Sequence, residues 1–149
     1  MTSLKQIYLT YWKQLKLFVD EMGLDWRFYS LEGEAQAIVK IGSPHHKICL
    51  SLIGTDSKNP RPFISASFWI PDSREAFEML QAKRAQIEAE MGKSLVWDSK
   101  PGRKSRWIRI MVGMDLSHEK NWPASFEWFA QNAGKIRDVC HRHLMLHEK

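Results

Sequence analysis

The chain has 149 residues, 44% of them hydrophobic and 26% charged, which excludes a disordered or fibrous chain and fits one domain, residues 1–149, around one core. Cys49 and Cys140 are too few for a disulfide scaffold, and no apolar run reaches membrane-spanning length, so a cytoplasmic protein with reduced thiols and no membrane partner is expected. The net charge is +5, and the span holding Lys93, Lys100, Arg103, Lys104, Arg106 and Arg109 against Asp98 alone carries the whole excess.

Leu4, Ile7, Tyr8, Tyr11, Leu15, Phe18, Val19 and Met22 recur at three- and four-residue spacings, the stripe of an amphipathic helix. Ser3 and Gln6 make a capping box at its start, and Gly23 supplies a stop. Residues Ala35 to Ile41 and Lys47 to Ile53 then read as strands around the turn-like Gly42-Ser43-Pro44. Thr55 to Pro62, with Asp56, Asn59 and two prolines, reads as a loop.

In the strand from Phe63 to Ile70, alternation puts Ile64, Ala66, Phe68 and Ile70 on one face and Ser65, Ser67 and Trp69 on the other. Asp72 with Glu75 suggests a second capping box, opening a helix through Phe77, Leu80, Ile87 and Met91 to Gly92. Arg84 falls on or beside that stripe, as a snorkelling cation does. Leu95 to Asp98 and Ser105 to Val112 form a hairpin around Pro101-Gly102, and Pro123 to Leu146 a last helix with Phe126, Phe129, Ala133, Ile136 and Cys140 inward. The expected fold is α+β: a mainly antiparallel sheet of four to five strands with three helices covering one face, in the order helix, three strands, helix, two strands, helix.

The segment from Lys100 to Arg109 holds five cations, Lys100, Arg103, Lys104, Arg106 and Arg109, with Trp107 among them and no acid. Clustered bases neutralise phosphates and release counterions, and an exposed indole offers a plane for an unpaired base. The same charges also suit a merely solvated hairpin tip. Alternation further puts Trp107 and Arg109 opposite Ile108, so with Ser65, Ser67 and Trp69 they form one outer patch if the faces coincide. Such a patch fits a nucleic-acid platform, a dimer interface through Trp69 and Trp107, or a surface covered by a further helix.

Pro71-Asp72 and Asp98-Ser99-Lys100 spell a nuclease-like pattern of two acids and a lysine, but a helix separates the halves and Asp72 suits a cap. Cys140, His143 and His147 share a helical face, although Cys140 continues the apolar stripe. His45, His46, Glu32 and Glu34 point to no chemistry. No nucleophile elbow, P-loop, dinucleotide fingerprint or HExxH occurs, so no catalytic residue, metal ligand or cofactor is assigned and the reading leans away from an enzyme.

Taken together, Tyr11-Trp12, the Lys47 to Leu52 strand, Phe68-Trp69-Ile70-Pro71-Asp72, the Leu80 to Gly92 helix, Leu95-Val96-Trp97 and Pro101-Gly102-Arg103-Lys104-Ser105-Arg106 form a familiar series. With Asp115-Leu116, Asn121-Trp122-Pro123 and Trp128, the chain resembles the prokaryotic Domain of Unknown Function 4268 family over nearly its whole length. The resemblance implies a stand-alone or C-terminal module, sometimes attached to a nuclease-like domain, and supplies no catalytic residues. The leading expectation is a noncatalytic, nucleic-acid-associated module in which Lys100, Arg103, Lys104, Arg106 and Arg109 meet phosphate and Trp107 stacks. The alternative is a module for homo-oligomerisation or for a partner such as a nuclease-related protein, and a degenerate or metal-dependent nuclease comes third.

Overall fold

A computed structural model describes residues 3–29, 31, 33–41, 47–53 and 61–145, with the backbone of 146 and 147. The expected turn at Gly42-Ser43-Pro44, His45, His46, Glu32 and most of the Thr55 to Pro62 loop lie outside the described residues.

Helix α1 (Leu4–Glu21) starts as its sequence dictates, with Ser3 Oγ accepting from the Gln6 amide and Gln6 Oε1 accepting from the Ser3 amide. It ends where Gly23 takes a left-handed φ of 75°. Strands β1 (Trp26–Phe28), β2 (Gln36–Ile41), β3 (Lys47–Ile53) and β4 (Phe63–Ile70) follow, then α2 (Arg74–Gln81), α3 (Arg84–Met91), β5 (Val96–Asp98), β6 (Arg106–Gly113) and, after a short 3-10 turn, α4 (Trp122–His147). All pairings are antiparallel, in the order β1-β2-β3-β4-β6-β5. The α+β class and the antiparallel sheet agree with the sequence reading.

The counts differ from that reading, with six strands among the described residues in place of four to five and four helices in place of three. β1 is three residues long, too short to show alternation, and exists because it pairs with β2 through Trp26 opposite Ile41 and Phe28 opposite Val39. The helix expected from Asp72 to Gly92 breaks at Ala82 and Lys83, where Lys83 leaves helical geometry at φ −106° and ψ 20°. Arg84, expected to snorkel on the core, is instead exposed and pairs with Glu88 at 3.2 Å. The cap is also shifted by one residue: Ser73, extended at φ −155°, accepts from the Ala76 amide at 3.1 Å and takes the place expected for Asp72, which is exposed.

The core lies on one side of the sheet. Ile48, Leu50, Leu52, Ile64, Ala66, Phe68 and Ile108 face it, and Phe129, Ala133, Ile136 and Cys140 of α4 bury against them. The other helices pack around α4. Tyr11 and Ser125 meet at 2.7 Å, and because Ser125 donates to the Trp122 carbonyl at 2.6 Å, the Tyr11 hydroxyl is the donor to Ser125. Burial pushes the Tyr11 phenol well above its ordinary range. Trp12 and Trp122 also find acceptors, the carbonyls of Glu34 and Leu116. None of the described helices is long and apolar enough to cross a membrane.

A carboxylate ties this helical layer to the edge of the sheet. Glu88 of α3 accepts from the Leu95 amide at 2.6 Å and from Trp97 Nε1 at 3.3 Å, contacts that hold its carboxyl below the usual range. That clasp fixes the entry to β5 and therefore the position of Asp98.

Candidate functional site

Because side chains alternate along a strand, the register places every second residue of five strands on the side away from the helices. One cross-strand row reads Lys40, Lys47, Trp69, Trp107 and Asp98, and the next reads Ile38, Cys49, Ser67, Arg109 and Val96. The expected merging of Ser65, Ser67 and Trp69 with Trp107 and Arg109 into one patch is therefore realised. Among the described residues no helix lies on this face. Its centre is a floor of small side chains, Cys49, Ser51, Ser65 and Ser67, each buried. Burial raises the Cys49 thiol above its ordinary range, with Ser51 and the nearby Arg109 charge pulling the other way.

Beside that floor the first row forms a chain of ring and cation contacts. Lys40 Nζ and Lys47 Nζ sit 5.3 and 4.8 Å from the centre of the Tyr29 ring, and Lys47 is also 5.4 Å from that of Trp69. Trp69 and Trp107 stack at 5.6 Å with their planes within 13°. Arg109 lies 5.5 Å from the Trp107 centre and reaches Asp98 Oδ2 at 3.2 Å, while Arg103 binds Asp98 Oδ1 at 2.8 Å. Since Asp98 stands across from Trp107 on the side away from Trp69, Arg109 covers the second face of the Trp107 ring. The Trp69 Nε1–H is buried with no acceptor among the described residues.

This geometry distributes the basic segment differently from a single patch. Arg103 and Arg109 join the outer face through Asp98, whereas Arg106, one step out of phase with Trp107, points to the helical side. Arg106 and Lys100 line a cleft against α2, and Lys104 is exposed, its carbonyl accepting from Arg106 Nη1 at 2.9 Å. Both faces of Trp107 are occupied, so it is not the free stacking plane that the sequence suggested. Lys40, Lys47 and Tyr29 were missed because nothing local marks them; they join the row through the register of β2 on β3.

The nuclease-like residues are dispersed. Asp98 has both oxygens engaged by guanidinium groups, Asp72 sits in an exposed turn and Lys100 lines the opposite side of the hairpin. The helical Cys140, His143 and His147 set is split too. Cys140 is in the core with its thiol pushed far up by burial, His143 Nε2 meets Glu90 Oε2 at 2.5 Å, and the His147 side chain lies outside the described residues. Glu90 also pairs with Arg142, and its carboxyl is lowered chiefly by the His143 hydrogen bond. Among the described residues no three His, Cys, Asp or Glu side chains group as metal ligands.

A family model described as Domain of unknown function (DUF4268) matches residues 7–144. Neither the curated proteins nor the solved structures give a match.

Proposed function

The chain belongs to the DUF4268 family, whose description assigns no activity, and from the outer sheet face we propose a noncatalytic module that binds the phosphate backbone of a nucleic acid. One observation carries the reading: Lys40, Lys47 and Arg109 are aligned on the sheet face away from the helices and ordered by aromatic rings, with Arg103 brought to the same face by Asp98, the acid of the row. Cations held in place lose less rotamer entropy on meeting an anion than free surface lysines do. The tryptophans order the cations in this reading, and base stacking is secondary because the ring faces are already covered. Phosphate contact without base reading gives affinity with little sequence preference. A cytoplasmic setting belongs to the same proposal.

The test is a fluorescence-anisotropy titration of labelled single- and double-stranded DNA and RNA at several salt concentrations, with a Lys40→Ala/Lys47→Ala/Arg109→Ala variant alongside. Native binding should weaken steeply with salt, and the variant should lower the slope of log K against log salt by about 2 to 3, near one per phosphate contact removed. Absence of binding at low salt, or an unchanged slope in a folded variant, defeats the reading. An interface with a protein partner or a second copy is the second reading, favoured by Val96, 45% exposed on the edge strand next to the tryptophan pair. It predicts concentration-dependent association that persists at high salt.

A further inference from the structure

We propose that the cleft between α2 and the turn joining β5 to β6 is a second, separate anion site that takes a phosphomonoester carried on a hydroxyl-bearing body, the chemistry of a sugar phosphate. The cleft has a volume of about 360 Å³, at the lower end of the range of small-molecule sites. Six side chains supply its polar lining: Arg74, Glu78, Gln81, Ser99, Lys100 and Arg106.

Their pairing decides what the cleft lacks. Arg74 is neutralised by Glu78 at 2.8 Å. Lys100 and Arg106 have no carboxylate partner among the described residues, which leaves two positive charges facing one small space. A phosphomonoester carries between one and two negative charges near neutral pH and matches them. A turn and one hydrogen bond set where these two side chains start. Pro101 and Gly102, with Gly102 at φ 79° and the Arg103 amide donating to the Lys100 carbonyl at 3.3 Å, form a type II turn that fixes the start of Lys100. Arg106 is oriented by its bond to the Lys104 carbonyl, so other guanidinium donors remain for the ligand. The rest of the lining is suited to hydroxyls: Ser99 and Gln81 donate and accept, and Glu78 accepts. The lining is too polar for a greasy ligand and too basic for a neutral sugar.

The site stands on the side of the hairpin opposite the tryptophan row, so it is independent of the outer-face reading. The same chemistry occurs in a free sugar phosphate and at the 5′-phosphorylated end of a nucleic-acid strand, and the experiment separates them. Amide chemical shifts of the full chain are followed during titration with ribose 5-phosphate, ribose, inorganic phosphate, and one oligonucleotide with and without a 5′-phosphate. Ribose 5-phosphate should give saturable shifts centred on Gln81, Ser99 and Gly102, tighter than inorganic phosphate, with none from ribose. Lys100→Ala, at an exposed position, and Arg106→Gln should each weaken binding by about tenfold, while Lys47→Ala leaves it unchanged. If the strand end is the ligand, the 5′-phosphate should add shifts at these residues that the 5′-hydroxyl oligonucleotide lacks; if the free metabolite is, the two oligonucleotides should match. Failure of ribose 5-phosphate to saturate at millimolar concentration, equal affinity for inorganic phosphate, or full binding in Lys100→Ala overturns the proposal, whatever the outer face does with DNA or RNA.

Discussion

Phe68 and Trp69 are consecutive residues of β4 that end on opposite sides of the sheet. Phe68 is fully buried beneath the helical layer, in a cluster that includes Leu50, Ile108 and Phe129. Trp69 is half-buried between Lys47 and Trp107 and keeps an indole N–H without an acceptor among the described residues. The first side gathers apolar volume and links Tyr11, Ser125 and Trp122 through one hydrogen-bonded chain, although α4 also buries Arg137 Nε and Nη2 without an acceptor among the described residues. The second gathers cations over small, buried serines and leaves a donor unmet. One face is arranged for stability; the other carries charges that contribute little to it, and it is the surface on which the proposed phosphate contact rests.

The largest effect that would test this contrast is Phe68→Ala. It should cost about 3–5 kcal/mol, the range for truncating a fully buried aromatic ring, read from urea unfolding followed by circular dichroism. A cost under about 1 kcal/mol would mean that the helical layer is not closed over β4.

One residue on, Trp69→Phe should cost no more than about 1 kcal/mol in the same measurement, although a large ring is trimmed. Phenylalanine keeps a stacking partner for Trp107, and it removes a buried N–H whose unmet hydrogen bond costs about 1–3 kcal/mol. A loss above about 2 kcal/mol would show that the N–H is satisfied after all and that the outer face is held together as tightly as the core.

These two sides were unequally legible in the sequence. The helical side could be read because its signals are local: the Ser3 and Gln6 box, the apolar stripes of the first and last helices, and the alternation from Ile64 to Ile70 each lie within a few residues. Local signals also misled at two points. Asp72 and Ser73 are both good caps, and only the backbone path chose Ser73. The Phe77, Leu80, Ile87, Met91 spacing runs smoothly through the break at Lys83, so nothing in the pattern reveals it. The outer row is non-local throughout. Lys40 meets Lys47 through the β2–β3 register, and Lys47 meets Trp69 across β3 and β4, so neither lysine could be picked from its neighbours in sequence. The basic segment was visible as charge, but its division between two sides of the hairpin follows from Arg106 pairing with Ile70 and Trp107 with Trp69.

Asp98→Asn gives the smallest expected change in stability and the sharpest statement about the outer face. Both carboxylate oxygens are bound, by Arg103 at 2.8 Å and Arg109 at 3.2 Å, yet each arginine side chain is about one-third exposed, at 36% and 32%. Water therefore replaces much of what the carboxylate supplies, and the loss should stay within about 1 kcal/mol. Binding should move the other way. The substitution removes the acid of the row and releases two guanidinium groups, so affinity for a labelled oligonucleotide should rise and its salt dependence steepen toward one further phosphate contact. Asparagine still accepts a hydrogen bond from one arginine, which keeps the hairpin geometry close to native. If Asp98→Asn binds more weakly than the native chain while remaining folded, Asp98 acts by orienting Arg109 on Trp107, and the order of the row outweighs its charge. If affinity does not change, neither arginine meets the nucleic acid, and the contact must rest on Lys40 and Lys47.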